Sequence, residues 1–499
     1  MTKFNEVRHE LLRRRLAKAG ISGPEYVTSP TLVAGTESTA APTPPANGDL
    51  GPGEARMWKI YQFDPTSISH NIGLIFDFTE TFSVARAVAA VEVLIARCTV
   101  FRSVINDDTG SARRVEITRD GVWTTPETTW EWGSFPSNTA AQQHSSTWQS
   151  AEIERDAQAL GRTPFDLTTE PPLRVRIYSR ADSGTSVVLV VHHIAVDATS
   201  WPALIETLIT GQWPQDHAAR VPAPQSSAAP DIDSALRHAL NTWGAHDVRY
   251  PLSGALPHDT AEQSWLAPLD DGVGERVVRP VDSATVKALQ EISPEVYATV
   301  NALLLTVCAL GVYAVTGAAD HVLVVPADNR HPAHSPDRVG YSGNIIPKRF
   351  QLDPAATVRQ TLRESAERIY GSMEFAAIDY GTILTALRGA GGRFPVAEIM
   401  ASVRDAPHRG VRIPDDVEVR CRSIFTGLAN YPLNFAFEFD ADDSLHLELD
   451  YQPAVVDSGR AEAAANTVIA LLQHIPSSLD RPLGELIATV GPERKSVGG

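Results

Sequence analysis

Cysteine is scarce in this chain of 499 residues: Cys98, Cys308 and Cys421 are the whole set. None lies in a CxxC pair or in a His/Cys cluster with zinc spacing, so neither a disulfide framework nor a structural metal is expected. A small, odd number of thiols fits a reducing cytoplasm. Positive charge is also short. There are 43 Lys and Arg against 60 Asp and Glu, a formal net charge of -17. That excludes the broad basic footprint that non-specific nucleic-acid binding needs. No continuous apolar h-region opens the chain, so no signal peptide is expected. One long uncharged run, Val296 to Ala319, includes Asn301, Thr306, Tyr313 and Thr316. It lacks interfacial basic or aromatic flanks, and it reads as a buried core helix rather than a membrane span. Also missing are a GxSxG elbow, a P-loop and a GxGxxG following a strand. Ser103 and Ser200 have no nucleophile context, and Cys98 sits in a helical run as an inert thiol. With no covalent nucleophile evident, a substrate's own nucleophile is expected to attack, leaving positioning and proton transfer to the protein.

What remains is ordinary globular material, 43% hydrophobic and 21% charged, with enough length for two or three domains' worth of core. Residues 4–19 read as a helix with Val7, Leu11, Leu12 and Leu16 on one face. Arg8, Arg13, Arg14, Arg15 and Lys18 fill the remainder. Residues 1–22 are thus a basic amphipathic segment, either a docking element for a partner or a solvated extension. Residues 23–49 read as a flexible linker, rich in Gly, Ala, Thr and Pro towards their end. Strand and helix patterns then alternate. Strands are expected at Ile72 to Phe78, Leu173 to Tyr178 and Ser186 to Val191, and helices at Val84 to Ala96 and Trp201 to Thr210. Gln215 to Asp231, rich in Pro, Ala and Ser, marks a lobe boundary. The second half repeats the alternation. It has a helix over about 296–316, strands at Val322 to Val325, Ala397 to Val403, Leu433 to Phe439 and Leu445 to Leu449, and helical segments around 356–388 and 459–474. The expected organisation is an α/β protein with an N-terminal lobe over 50–215, a C-terminal lobe over 216–490 and a cleft between them.

The most informative segment runs from Ser186 to Trp201. An apolar strand leads directly into His192 and His193, and Asp197 follows four residues after His193. Ligands collect at strand ends in α/β folds. Successive strand residues point to opposite faces, so one His should reach a substrate and the other should be structural. An imidazole is suited to general-base work near neutral pH.

These residues sit within a longer ordered series. Gly53 to Trp58 resembles SxAQxR(L/M)W, keeping Arg56, Met57 and Trp58. Arg97 to Ser103 resembles RHExLRT, keeping both arginines. Phe165-Asp166-Leu167 and Pro172-Leu173-Arg174 match an FDL…PLxR approach, and His192 to Ser200 matches HHxxxDGxS with Ala198 in place of Gly. Val339 to Asn344 resembles (I/V)GxFVN, with Ser342 and Gly343 departing. Arg393-Phe394-Pro395 and Asn430 to Asn434 resemble late segments that precede bridging strands. In this order, over about residues 50–480, the chain resembles the condensation domains of nonribosomal peptide synthetases, of the chloramphenicol acetyltransferase-like superfamily.

The resemblance implies two such lobes in a V-shaped pseudo-dimer with an active-site tunnel at their junction. It implies an acyltransferase of antibiotic or other secondary metabolism. An amine or hydroxyl acceptor would attack an acyl or aminoacyl thioester carried on the phosphopantetheine of a carrier protein. His193 is the implied catalytic residue. His192, Asp197, Arg330 and Ser200 are implied supports, with Arg330 paired to Asp197. Ala198, Trp201, Asn344 and Asn434 are tunnel candidates. No tightly bound cofactor and no metal is expected. The chain has no adenylation core motif and no LGGxS carrier serine, so separate carrier proteins in trans are the implied partners, with the chain a cytoplasmic monomer. The rival functions are an epimerisation domain of the same fold, an acyl-coenzyme A-dependent acyltransferase and a catalytically inactive recruitment domain. No EGHGRE-like segment supports the first, no DFGWG motif the second, and the intact HHxxxD speaks against the third.

Overall fold

The computed structural model describes residues 47–107, 111–117, 121–124, 128–132, 148–214, 234, 237, 251–252, 273–328, 339–376, 378–381 and 398–491. The helix expected over 4–19, most of the 23–49 linker, Arg330, and the Arg393-Phe394-Pro395 segment lie outside them.

In the first half the order is β1 (Asn47–Asp49), α1 (Pro52–Phe63), β2 (Asn71–Phe78), α2 (Val84–Arg97), β3 (Ser103–Asn106), β4 (Arg113–Glu116), β5 (Gly121–Thr124), β6 (Thr128–Trp132), α3 (Ser150–Gly161), β7 (Leu173–Ser179), β8 (Thr185–His192) and α4 (Trp201–Thr210). The second half holds β9 (Glu275–Val281), α5 (Ser283–Ile292), α6 (Val300–Thr316), β10 (Asp320–Asp328), β11 (Gly343–Gln351), α7 (Val358–Ser372), β12 (Ile399–Asp405), β13 (Val419–Ile424), β14 (Leu433–Phe439), β15 (Leu445–Tyr451), α8 (Ser458–His474) and α9 (Leu483–Val490). Two six-stranded sheets result, ordered β13-β2-β8-β7-β6-β5 and β11-β10-β12-β14-β15-β9, with a small sheet β1-β4-β3 beside them.

Strand β8 is buried along its whole length because it has a core on each side. Val187, Leu189 and Val191 pack with α2 and α4 residues such as Val91 and Leu204. Val188 and Val190 pack with Trp58 of α1 and Ile153 of α3. That explains its continuous apolar run in place of alternation. In the other lobe α6 is apolar on every side and central to the second core. No helix among the described residues is long and apolar enough to cross a membrane. The helix begins at Val300, not near 296, because Thr299 caps it through a bond from Ala302 N and Tyr297 has a left-handed φ of 53°.

Two features depart from the sequence expectation. Asn47–Asp49, within the expected linker, is a strand in register with Arg113–Val115. Three residues with no apolar pattern carry no strand signal; backbone pairing and the Asp49–Arg113 ion pair hold them. Strand β13 comes from the second half yet pairs antiparallel with β2 of the first, Val419 opposite Phe78 and Ile424 opposite Gly73. The halves therefore share a sheet.

Candidate active site

The site grows from the end of β8. Asn71 of β2 pairs with His192, and one step further the N–H of His193 donates to the carbonyl of His70 at 2.8 Å. The chain then turns through a short 3-10 segment, His193–Ala195. This turn replaces the strict strand alternation expected for the two histidines, but it still separates them.

His192 is buried among Tyr61, Phe165 and His70, with ring centroids 6.3, 6.0 and 6.0 Å away. Its Nδ1 accepts the N–H of Ile194 at 3.2 Å. An accepting Nδ1 carries no proton, so the neutral ring holds its proton on Nε2. Burial, with the neighbouring charges of His70, His193 and Arg174, holds its pKa well below the ordinary value.

His193 has the opposite tautomer. Its Nδ1 lies 2.7 Å from the carbonyl of Val196, which can only accept. Nδ1 therefore carries the proton, and Nε2 keeps a bare lone pair. Desolvation by burial lowers its pKa most, the bond to Val196 and the charge of Asp197 oppose that, and nearby Arg56 lowers it further. The ring is neutral near pH 7, as a base must be.

Asp197 is buried and ties the loop to the second half of the chain. Oδ1 accepts from Thr199 N at 3.1 Å, Thr199 Oγ1 at 2.7 Å and Ser200 N at 3.2 Å. Oδ2 accepts from Ser342 N at 3.0 Å and Ser342 Oγ at 2.8 Å. Ser200 Oγ is 3.0 Å from Asp197 Oδ1 and 3.1 Å from the Gly340 carbonyl. Asp197 and Ser200 thus act as loop supports through residues 340–342. Arg330 lies outside the described residues.

The tunnel candidates separate. Trp201 is a core residue, buried with Leu204, Ile205 and Leu208 on the inner face of α4. Asn344 is buried and fully engaged: Nδ2 donates to the carbonyls of Ala376 and Ile378 at 2.9 and 2.7 Å, and Oδ1 accepts from Tyr380 N at 3.0 Å. All three of these partners are backbone groups. Asn434 is half-buried near the start of β14, opposite Asp450. Ala198 is exposed.

Sequence reasoning assigned no site role to His70, Tyr341 or Ser342. Ser69 Oγ lies 3.0 Å from His70 Nδ1, and burial with the charges of His193 and Arg56 pushes the His70 pKa down to about 3. The ring of Tyr341 meets His193 edge to face, centroids 4.9 Å apart. Arg56 of α1 donates to the Gly343 carbonyl at 2.6 Å and also pairs with Asp379. His70 enters the site through the pairing of Asn71 with His192 and the bond from the His193 N–H to its own carbonyl. A cavity of about 610 Å³ lies by Trp58, Tyr61, Pro164, Phe165 and Asp166. It shares Tyr61 and Phe165 with the His192 surroundings, and His193 is not among its lining residues. Among the described residues no cluster of His, Cys, Asp and Glu could hold a metal ion. Cys98, Cys308 and Cys421 are free, and burial raises all three thiol pKa values.

Comparison with known proteins places this geometry. A relative is the hybrid PKS-NRPS synthetase LUC5 of a Fusarium species, 22% identical over 88% of this chain; the chain spans only 11% of that protein. The solved structure of a holo four-domain nonribosomal peptide synthetase bound to AMP and glycine superposes with a TM-score of 0.68 at 15% identity, covering 90% of this chain and 34% of that one. The X-domain from teicoplanin biosynthesis gives a TM-score of 0.66 at 16% identity, covering 89% of this chain and 98% of that one. These likenesses show a shared fold. The condensation-domain model matches residues 50–227 and 252–495, well over half of the sequence, and the chain belongs to that family.

Proposed function

We propose that this chain joins an acyl or aminoacyl group, held as a thioester on the phosphopantetheine of a carrier protein, to an amine or hydroxyl acceptor. The acceptor's nitrogen or oxygen attacks the thioester carbonyl carbon, and the carbon–sulfur bond breaks. His193 Nε2 takes the acceptor's proton and returns it to the departing sulfur, so no other reactant is required. The observation carrying this reading is the tautomer of His193, fixed by the Val196 carbonyl at 2.7 Å with Nε2 left bare. Fold likeness alone does not decide it, because the X-domain superposes nearly as well as the four-domain synthetase.

The test mixes the protein with acyl-loaded carrier, supplied as a separate protein, and candidate acceptors, and reads products by mass spectrometry. Amide or ester is expected with the wild type, and a rate lower by about 10²–10⁴-fold with His193→Ala. A near-normal rate in that variant removes the base role. Inversion of the carrier-bound residue without an acceptor would mark epimerisation instead. Equal turnover of acyl-coenzyme A would mark a coenzyme A-dependent acyltransferase.

A further inference from the structure

Residues 340–344 are fastened to the first half of the chain at successive positions. Gly340 meets Ser200 Oγ through both its N–H, at 3.3 Å, and its carbonyl, at 3.1 Å. Ser342 binds Asp197 through N and Oγ. Gly343 accepts from Arg56 at 2.6 Å, and Asn344 Oδ1 is 3.3 Å from the same guanidinium. The side chain in this run that meets His193 itself is Tyr341, edge to face with centroids 4.9 Å apart.

Space for that ring is made by two glycines. A Cβ on Gly343 would lie 2.8–2.9 Å from Cε2, Cζ and Oη of Tyr341. A Cβ on Gly53 of α1 would lie 3.3 Å from Tyr341 Cδ1. Arg56 NH2 sits 3.5 Å from the phenol oxygen. The ring is therefore bounded by Gly53 and Arg56 of α1, by Gly343 at the start of β11 and by His193.

We infer that Tyr341 is a positioning residue for His193: its ring, seated in the slot left by Gly53 and Gly343, keeps the imidazole dry and fixed with Nε2 as the free base atom. This rests on the reading of His193 as the base. An edge-to-face pair contributes both contact and a defined ring orientation. It complements the Val196 carbonyl, which holds Nδ1 alone. The other ionisable groups around His193 are His70 before β2, His192 at the end of β8, Asp197 on the loop and Arg56 of α1. Of these only Arg56 touches residues 341 and 343, through the phenol oxygen and the Gly343 carbonyl, and Tyr341→Phe isolates the loss of its phenol contact. Loss of the ring admits water, so the depressed His193 pKa rises.

The test is long-range proton–nitrogen NMR of histidine side chains in the full-length protein, with His193 assigned by its loss in His193→Ala. In the wild type His193 should be neutral with its proton on Nδ1 and titrate below the ordinary 6.5. Tyr341→Phe should match it, since the ring contact remains while the Arg56 contact goes. Tyr341→Ala and Gly343→Ala should each move the titration upward by about one pH unit, a tenfold change in proton affinity, and mix the two tautomers. Gly343→Ala guards against misfolding, because the clashing atoms belong to the Tyr341 side chain and not to backbone, and residue 343 is not in a left-handed conformation. Unchanged tautomer and titration in either folded alanine variant overturns the inference. A wild type that forms no product would remove the proposed reaction, yet the NMR result would still decide the role of Tyr341.

Discussion

Both carboxylate oxygens of Asp197 are occupied, one by donors on its own loop and the other by Ser342 from the far half of the chain. An asparagine there can present only one accepting oxygen, and its NH2 must face donors on the other side. Asp197→Asn is therefore expected to lose at least two charge-assisted hydrogen bonds, a destabilisation of about 3–6 kcal/mol in urea denaturation. Ser342→Ala, which leaves the backbone N–H in place, should lose about 1–2 kcal/mol. Wild-type stability in Asp197→Asn would show that the clasp carries no weight. The HHxxxD pattern made His193 and Asp197 legible, because chemistry-bearing residues at that spacing need a turn right after a strand. Trp201 was also within reach: Trp201, Leu204, Ile205 and Leu208 recur at helical spacing and mark an apolar inner face. Tyr341 was not. Its neighbours Ser342 and Gly343 read as departures from a pattern, while in space they are the hydroxyl that holds Asp197 and the gap that admits the Tyr341 ring.

Elements with strong local patterns were legible, and those formed by distant pairing were not. The apolar run of β8, the period of α2 and the caps of α6 and α8 are written in consecutive residues. Strand β13 has no such pattern. Its residues are mostly half-exposed, and its partner strand lies more than 300 residues away, with Arg422 on β13 bonded to Asp77 on β2. Its place depends on Gly73, where a Cβ would meet Ile424 Cδ1 at 2.8 Å and Cβ at 3.0 Å. A valine at 73 must push β13 outward, because Ile424 is itself buried and cannot swing to solvent. Gly73→Val is expected to destabilise the protein by about 1–3 kcal/mol and to hasten limited proteolysis between β12 and β14. Unchanged cleavage kinetics there would mean that the shared sheet does not hold the crossing strand.

At the scale of the whole molecule, several histidines are buried as neutral bases. Burial pushes His70 down to about 3 and His321 to about 4, and lowers His192 and His193 as well. The physical cause is plainest at His321, in β10 of the other six-stranded sheet from β8. Its Nδ1 lies 2.9 Å from the Ala318 carbonyl, its ring stacks near Phe350, and its buried Nε2 has no hydrogen-bond partner among the described residues. A second proton would place an unmatched N–H there. An unfolded chain takes up that proton near the ordinary 6.5, whereas the folded chain resists it until about 4. Between those values the unfolded state binds more protons, so stability rises with pH across the window and is lost as pH falls through it. Each such histidine contributes up to about 1.4 kcal/mol per pH unit. The carboxylate Glu448, held down to about 2 with His446, Arg404 and Arg276 beside it, begins to matter only below the ordinary 4.5. Acid sensitivity should therefore start near pH 6.5 and come first from histidine. Replacing His321 with Phe keeps an aromatic against Phe350 and removes one titrating group without touching the site. The expected result is a gentler fall of unfolding free energy between pH 6 and pH 5, by about 1 kcal/mol per pH unit in guanidinium denaturation series. An identical slope in wild type and variant would assign the acid sensitivity to other groups.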